Sequence, residues 1–187
     1  YQLWGLPRIP SGIAMTVFFL LVNLVGTNAA AWAQDIMVFI LLGAMGTFII
    51  FGIPVVEPSR FTPFFLDGKA NISEVVALAA FVFVAFGGLL DVASVSEEVK
   101  NPVRNIPAGM LRGIITVTLI YVCGLVITVG VMPADELAGS LTPLSDAALK
   151  TGLGKVGFWL ITLGAMMAFV TTANAGIMAA ARFPCAR

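Results

Sequence analysis

The sequence predicts an all-α membrane protein that crosses the bilayer several times. Hydrophobic residues make up 59% of the 187 residues and charged residues only 11%, and the mean hydropathy is +1.02. A soluble domain contains roughly 45–50% apolar and about 25% charged residues, so lipid has to cover the excess. Long uncharged stretches, separated by short segments with charges and prolines, predict about five transmembrane helices in one partial domain over residues 1–187.

The first two predicted helices cover residues 11–25 and 33–53. Both lie mainly in stretches without charged side chains, and a spanning helix needs about 20 apolar residues. Residues 28–35 between them predict a tight turn at the membrane interface, where Trp32 would join the aromatic belt. Prolines and charges after residue 53 predict a solvent loop.

The third predicted helix, residues 73–96, has two adjacent glycines in its apolar middle. Gly87 and Gly88 follow Phe86, and Asp91 is the only acidic residue beyond the first turn of any predicted transmembrane helix, since Asp35 and Glu74 lie at the starts of theirs. Irregular backbone at membrane depth is tolerated only against protein or a water-filled cavity. The glycines therefore predict an unwound, ligand-binding segment or, alternatively, a close helix–helix contact. Asp91 could serve that site or simply reach interfacial water.

The last two predicted helices cover residues 107–131 and 156–181. Asn105 followed by Pro107 is typical of a helix start, because proline fits the first helical turn. In the loop between the two helices, residues 144–149 predict a short amphipathic helix.

The charged and reactive residues argue against several classes of function. Ten basic and ten acidic residues balance, which gives no reason to expect a nucleic-acid partner. Histidine is absent, and the two cysteines indicate neither a disulfide framework nor a zinc site, so we expect no enzyme and no resident cofactor. Lys100, Arg104 and Arg112 cluster in one short segment, which favours the cytoplasmic side for it. The abrupt ends suggest an internal piece of a longer protein.

Four motifs together resemble a known transporter family. Residues 83–88 read Phe-Val-Ala-Phe-Gly-Gly, and residues 97–107 read Glu-Glu-Val-Lys-Asn-Pro-Val-Arg-Asn-Ile-Pro. Residues 171–176 read Thr-Thr-Ala-Asn-Ala-Gly, and residues 180–183 read Ala-Ala-Arg-Phe. This combination resembles the amino acid permeases of the amino acid–polyamine–organocation (APC) superfamily. The resemblance covers essentially the whole chain.

The resemblance implies a leucine-transporter-type fold of two inverted five-helix repeats, with this chain as helices four to eight of twelve. In such permeases helices one and six are unwound at their centres and hold the carboxylate and amine of the substrate. Carried onto this sequence, the implied substrate-binding residues are Val84, Ala85, Phe86, Gly87, Gly88, Leu89 and Leu90.

The same resemblance raises the question of a coupling ion, Na⁺ or H⁺. It implies that the hydroxyls of Thr171 and Thr172 could bind Na⁺, whereas the ordinary alternative is that they bond to preceding backbone carbonyls. Leu41 stands where some proton-coupled relatives carry a lysine. Val84 and Leu90 also depart from the family pattern, in which an aromatic gate and a Glu or Asn are common.

These observations predict secondary transport of an amino acid or a related amine by alternating access, with the substrate at Gly87 and Gly88. The alternatives are a structural or receptor-like helix bundle and an intramembrane hydrolase that uses Asp91. Expected partners are a small-molecule amino acid, the lipid bilayer and the remaining helices of the longer chain. We expect an integral protein of the plasma (cell inner) membrane. Asn174, Ala175, Gly176 and Ala179 are expected to form a packing face rather than a binding site.

Overall fold

The structure is a computed structural model, and it describes residues 10, 12–14, 16–17, 21, 27–62, 72–84, 86–87 and 99–182. Within these residues all regular secondary structure is helical. The predicted first helix, residues 11–25, lies mostly outside them, and its described residues are helical. The α-helices with defined bounds are α1 (Thr27–Gly52), α2 (Ile72–Val84), α3 (Pro102–Val131), α4 (Ala134–Gly139), α5 (Pro143–Lys150) and α6 (Gly154–Arg182).

Three helical segments in the described part of the chain are long and apolar enough to cross a membrane. They are Ala31–Val55, Pro102–Val131 and Gly154–Ile177. The apolar helix α2 is shorter, with 13 residues. The predicted fold class, an all-α polytopic membrane protein, is confirmed.

Helix α1 begins at Thr27, six residues before the predicted start. The segment predicted as a turn, residues 28–35, is therefore helical. Four alanines between residues 29 and 33 are strong helix formers, and no glycine or proline interrupts them. The helix ends at Gly52, because Pro54 cannot continue it, and two 3₁₀ turns follow, Ile53–Val55 and Pro58–Phe61.

Helix α3 begins at Pro102 rather than at the predicted Pro107. Asn101 precedes it with a φ of 51°, a left-handed conformation that asparagine tolerates. Pro102 then occupies the first helical position, where its fixed φ fits. Pro107 lies one turn further on, and because it has no N–H, the Val103 carbonyl lacks its helical donor. As predicted, an asparagine followed by a proline marks the start of this helix. The residues concerned are Asn101 and Pro102, however, rather than Asn105 and Pro107.

The loop between the last two long helices contains two short helices. Helix α5 (Pro143–Lys150) confirms the short helix predicted over residues 144–149, and α4 (Ala134–Gly139) was not predicted. An ion pair between Glu136 and Lys150 joins the two. The Ser140 hydroxyl also donates to Asp146 Oδ2 at 2.5 Å. The loop is therefore held both by these local polar contacts and by apolar side chains of its two helices, Leu137, Leu144, Ala147 and Ala148, that pack in the core.

The chain divides into two compact units, and Ala44–Thr162 forms one of them. Its core brings together α1, α3, α5 and α6. Phe48, Ala147 and Ala148 have no exposed surface, and Ile127 is 1% exposed. The other unit consists of Tyr1–Gly43 and Leu163–Arg187, and in it Met37 packs near Val170.

Glycines allow the close contacts in the Ala44–Thr162 unit. A methyl group added to Gly130 would lie 2.7 Å from Val56 Cγ1, and one added to Gly157 would lie 2.9 Å from the Ala148 carbonyl oxygen. Small residues permit such close approach between helices in membranes. The Gly157 contact is the less forgiving, because the opposing atom belongs to the backbone of α5.

Replacing Gly157 by alanine should therefore destabilise the protein. We expect Gly157→Ala to lower the free energy of unfolding by about 1–3 kcal/mol, the usual range for overpacking. The matched control is Gly109→Ala in α3, where an added methyl meets no described atom within 4 Å. Thermal unfolding of the full-length protein in detergent compares the two variants. Equal melting temperatures would contradict the close contact between Gly157 and the Ala148 carbonyl.

Candidate functional site

Regular α-helical structure in α2 ends at Val84, three residues before the first glycine of the predicted site. The Phe86 N–H donates to the Phe83 carbonyl at 3.0 Å, which is an i to i−3 bond. In a continuing α-helix it would donate to the carbonyl of Val82. The backbone approaching Gly87 is therefore wound more tightly than an α-helix.

The described residues of α2 form an apolar helix that leads into this tighter turn. None of the residues Ile72–Val84 is buried against the described part of the chain. Many transporters build a substrate site where an apolar helix is interrupted, and the i to i−3 bond of Phe86 is such an interruption at the edge of the described segment.

Gly87 borders open space. A methyl group added to its α-carbon would meet no described atom within 4 Å. The alternative interpretation of Gly87, a close contact between packed helices, therefore has no support from the described part of this chain. The residue is free to face a small molecule or a helix that lies outside the described residues.

An aromatic pair stands beside this glycine. The Phe86 ring lies 6.2 Å from the Tyr121 ring of α3, centroid to centroid, at an interplanar angle of 64°. Edge-to-face contacts of this kind orient a ring as well as bury it. Phe86 is half-buried, whereas Val84 is 73% exposed. No local pattern in the sequence identifies Tyr121, because it lies 35 positions after its partner Phe86.

The structure describes only part of the predicted substrate site. Val84, Phe86 and Gly87 are described, and the other predicted residues lie outside the described part of the chain: Ala85, Gly88, Leu89 and Leu90. Asp91 also lies outside it. The described side chains next to Gly87 are apolar or aromatic. Among the described groups next to Gly87, backbone N–H and C=O groups are the ones that could bind the polar end of a ligand.

The hydroxyls of the predicted sodium ligands both bond locally. Thr171 and Thr172 each donate to the Ala168 carbonyl at 2.9 Å. Thr171 is 7% exposed and Thr172 is exposed. This is the ordinary arrangement for threonine in a membrane helix. Each oxygen keeps lone pairs that a hard cation could use, so sodium binding stays a prediction.

A buried amide pair joins α1 and α6 in the unit that contains Thr171. The Asn174 Nδ2 donates to Gln34 Oε1 at 2.9 Å, and Asn174 has no exposed surface. The prediction of a packing face is confirmed for Asn174 but not for Gly176, which is exposed and whose added methyl group would meet no described atom within 4 Å. The sequence did not identify Gln34 as its partner, although a polar side chain inside an apolar helix is a signal in itself.

The sequence was compared with protein families and with known proteins. The family model described as amino acid permease matches residues 1–186. An uncharacterized protein of Methanocaldococcus jannaschii is 29% identical over 165 residues, which are 88% of this chain and 38% of that protein.

Two relatives from Bacillus subtilis have named activities. The branched-chain amino acid permease BcaP is 29% identical over 171 residues, 91% of this chain and 35% of BcaP. The methylthioribose transporter is 29% identical over 175 residues, 94% of this chain and 37% of that protein. The chain thus spans little more than a third of the length of each of these three relatives.

The Gln34–Asn174 pair predicts energetic coupling between the two residues. We expect Gln34→Leu and Asn174→Leu each to lower the free energy of unfolding of the full-length protein. The double variant should lose less than the sum of the two single losses. The coupling should be about 0.6 kcal/mol and no more than about 1.7, the range for such bonds in membrane proteins. Thermal unfolding of all four proteins measures it, and strictly additive losses would contradict the bond.

Proposed function

The chain belongs to the amino acid permease family, and we propose that the full-length protein transports an amino acid or a related amine across a membrane by alternating access. The supporting observation is the combination at residues 84–87. Described α-helix ends at Val84, the Phe86 N–H makes an i to i−3 bond, and no described atom lies within 4 Å of a methyl group added to Gly87. A fixed site of this kind can be reached from either side as helices rock around it.

Backbone groups would bind the polar end of the substrate in this proposal. Amino acids share a carboxylate and an ammonium group, which need several hydrogen-bond donors and acceptors. Irregular backbone supplies both without placing a charged side chain in the membrane, which would be costly. Gly87 lets the substrate approach the main chain closely, because no side chain stands in the way.

The described surroundings of Gly87 favour a substrate with an apolar side chain. Val84, Phe86 and Tyr121 present hydrocarbon and aromatic surface. Of the relatives, one is named for branched-chain amino acids and another for methylthioribose, at equal identity to this chain. The apolar lining supports the amino acid class, and within it the aliphatic members.

The competing functions have less support. The family and the two relatives with named activities are permeases and transporters, not enzymes, which confirms that the chain is not an enzyme. A structural or receptor-like helix bundle would use Gly87 as a packing residue, and no described atom lies within 4 Å of a methyl group added there. The chain is an integral membrane protein, and we place the full-length protein in the plasma membrane, where uptake of amino acids takes place.

Uptake by the full-length protein in proteoliposomes tests this function. Radiolabelled leucine, isoleucine, valine and methylthioribose are compared, with Na⁺ or choline outside, because Thr171 and Thr172 could supply oxygen ligands to Na⁺. Saturable uptake of an aliphatic amino acid is expected. Binding of a substrate without any uptake would support the receptor-like bundle instead.

Filling the space beside Gly87 should block transport without unfolding the protein. We expect Gly87→Leu to reduce uptake at least about 10-fold, which corresponds to ~1.4 kcal/mol of lost binding. The φ of Gly87 lies outside the left-handed region, so backbone strain at leucine does not explain a loss. The control Gly113→Leu, also in open space, should transport normally. Normal uptake by Gly87→Leu at normal membrane levels would contradict the site.

The ring of Tyr121 should position Phe86 for the substrate. We expect Tyr121→Leu to raise the KM for uptake about 2- to 10-fold at an unchanged maximal rate, the range expected for an aromatic contact. Tyr121→Phe keeps the ring and should behave like the wild type. Phe158→Leu is the matched control, because it removes the Phe158–Trp159 edge-to-face pair elsewhere in the same unit. Equal KM changes in the Tyr121→Leu and Phe158→Leu variants would contradict a positioning role.

A further inference from the structure

Helix α3 is longer than a membrane span, and its positive charges lie at one end. After Arg112 the helix contains no charged residue through Val131. Those nineteen residues rise roughly 28 Å at about 1.5 Å per residue, close to the hydrocarbon thickness of about 30 Å. This match places Arg112 at the hydrocarbon boundary. Arg104, eight residues earlier, lies roughly 12 Å further out along the axis.

These charges oppose the dipole of their own helix. The N-terminal end of an α-helix carries partial positive charge and favours anions. Helix α3 has no acidic residue in its first turn and instead has Arg104 there, with Lys100 just before it. The helix gains no stability from cations at this position. An anion outside the helix would be attracted both by the cations and by the dipole.

None of the three basic side chains has an ion-pair partner among the described residues. Lys100, Arg104 and Arg112 are exposed. The ion pairs in the described part of the chain use other residues, Glu57 with Arg60 and Glu136 with Lys150. Residues 101–104 also line a shallow surface depression at this end of the helix.

We propose that the basic end of α3, defined as Lys100, Arg104 and Arg112, binds the headgroup phosphates of anionic phospholipids. Arg112 lies at the depth where those phosphates begin, and arginine binds phosphate in a bidentate manner. The clustering of basic residues favours the cytoplasmic side, which is also the leaflet with anionic lipids. This lipid site is separate from the proposed substrate site, and its test does not depend on transport.

Lipid affinity of the full-length protein tests the proposal. The apparent dissociation constants for dioleoylphosphatidylglycerol and dioleoylphosphatidylcholine are measured by native mass spectrometry in neutral detergent. The test targets Arg104 and Arg112, which lie on α3 itself, because Glu97 and Glu98 precede Lys100 and lie outside the described residues. Each basic residue near a membrane contributes about 1 kcal/mol, or roughly 5-fold in affinity. Arg104→Gln with Arg112→Gln should therefore weaken phosphatidylglycerol binding roughly 30-fold and leave phosphatidylcholine binding unchanged.

The control removes the same number of charges elsewhere. Lys150→Gln with Lys155→Gln should leave phosphatidylglycerol affinity within about 2-fold of the wild type. An equal loss in both double variants would overturn the proposal, because it would show attraction to net charge alone. Displacement of the lipid by millimolar inorganic phosphate at constant ionic strength would also overturn it, since the site would then select soluble phosphate.

Discussion

A polypeptide in hydrocarbon has to satisfy its own backbone hydrogen bonds, and the rest of this structure follows from that constraint. Long helices meet it throughout α1, α3 and α6. The described backbone departs from regular α-helix at Phe86, whose N–H makes an i to i−3 bond just before Gly87. Backbone groups released at such a point need another partner. A substrate with a carboxylate and an ammonium group can be that partner, which connects the local geometry to transport.

The helices of the Ala44–Thr162 unit differ in how much of their surface they bury. In the Ala44–Thr162 unit, α1, α3, α5 and α6 share a core in which Phe48 and Ala148 have no exposed surface. Helix α2 belongs to the same unit and buries none of its residues there. Its apolar surface has to be covered by lipid or by other helices of the full-length protein. The alternating access proposed for the full-length protein would need a packed framework and a helix that moves against it.

The sequence predicted the helices well where charge bounds an apolar stretch, and less well where residue propensities compete. Helix α6 lies within two residues of the prediction, because Lys155 and Arg182 stand near its ends. The starts of α1 and α3 were misplaced, since an alanine-rich segment continued one helix upstream and an earlier proline began the other. Side-chain partners were harder still. The Phe86–Tyr121 and Gln34–Asn174 contacts join distant residues, and no local pattern specifies them.

Cryo-electron microscopy of the full-length protein, in lipid and with a transported amino acid bound, tests the proposed site most directly. The expected map shows non-helical backbone over residues 85–91, with the carboxylate and ammonium groups of the substrate within hydrogen-bonding distance of main-chain atoms near Gly87. A continuous α-helix through these residues, with Gly87 facing lipid and the substrate bound elsewhere, would contradict it.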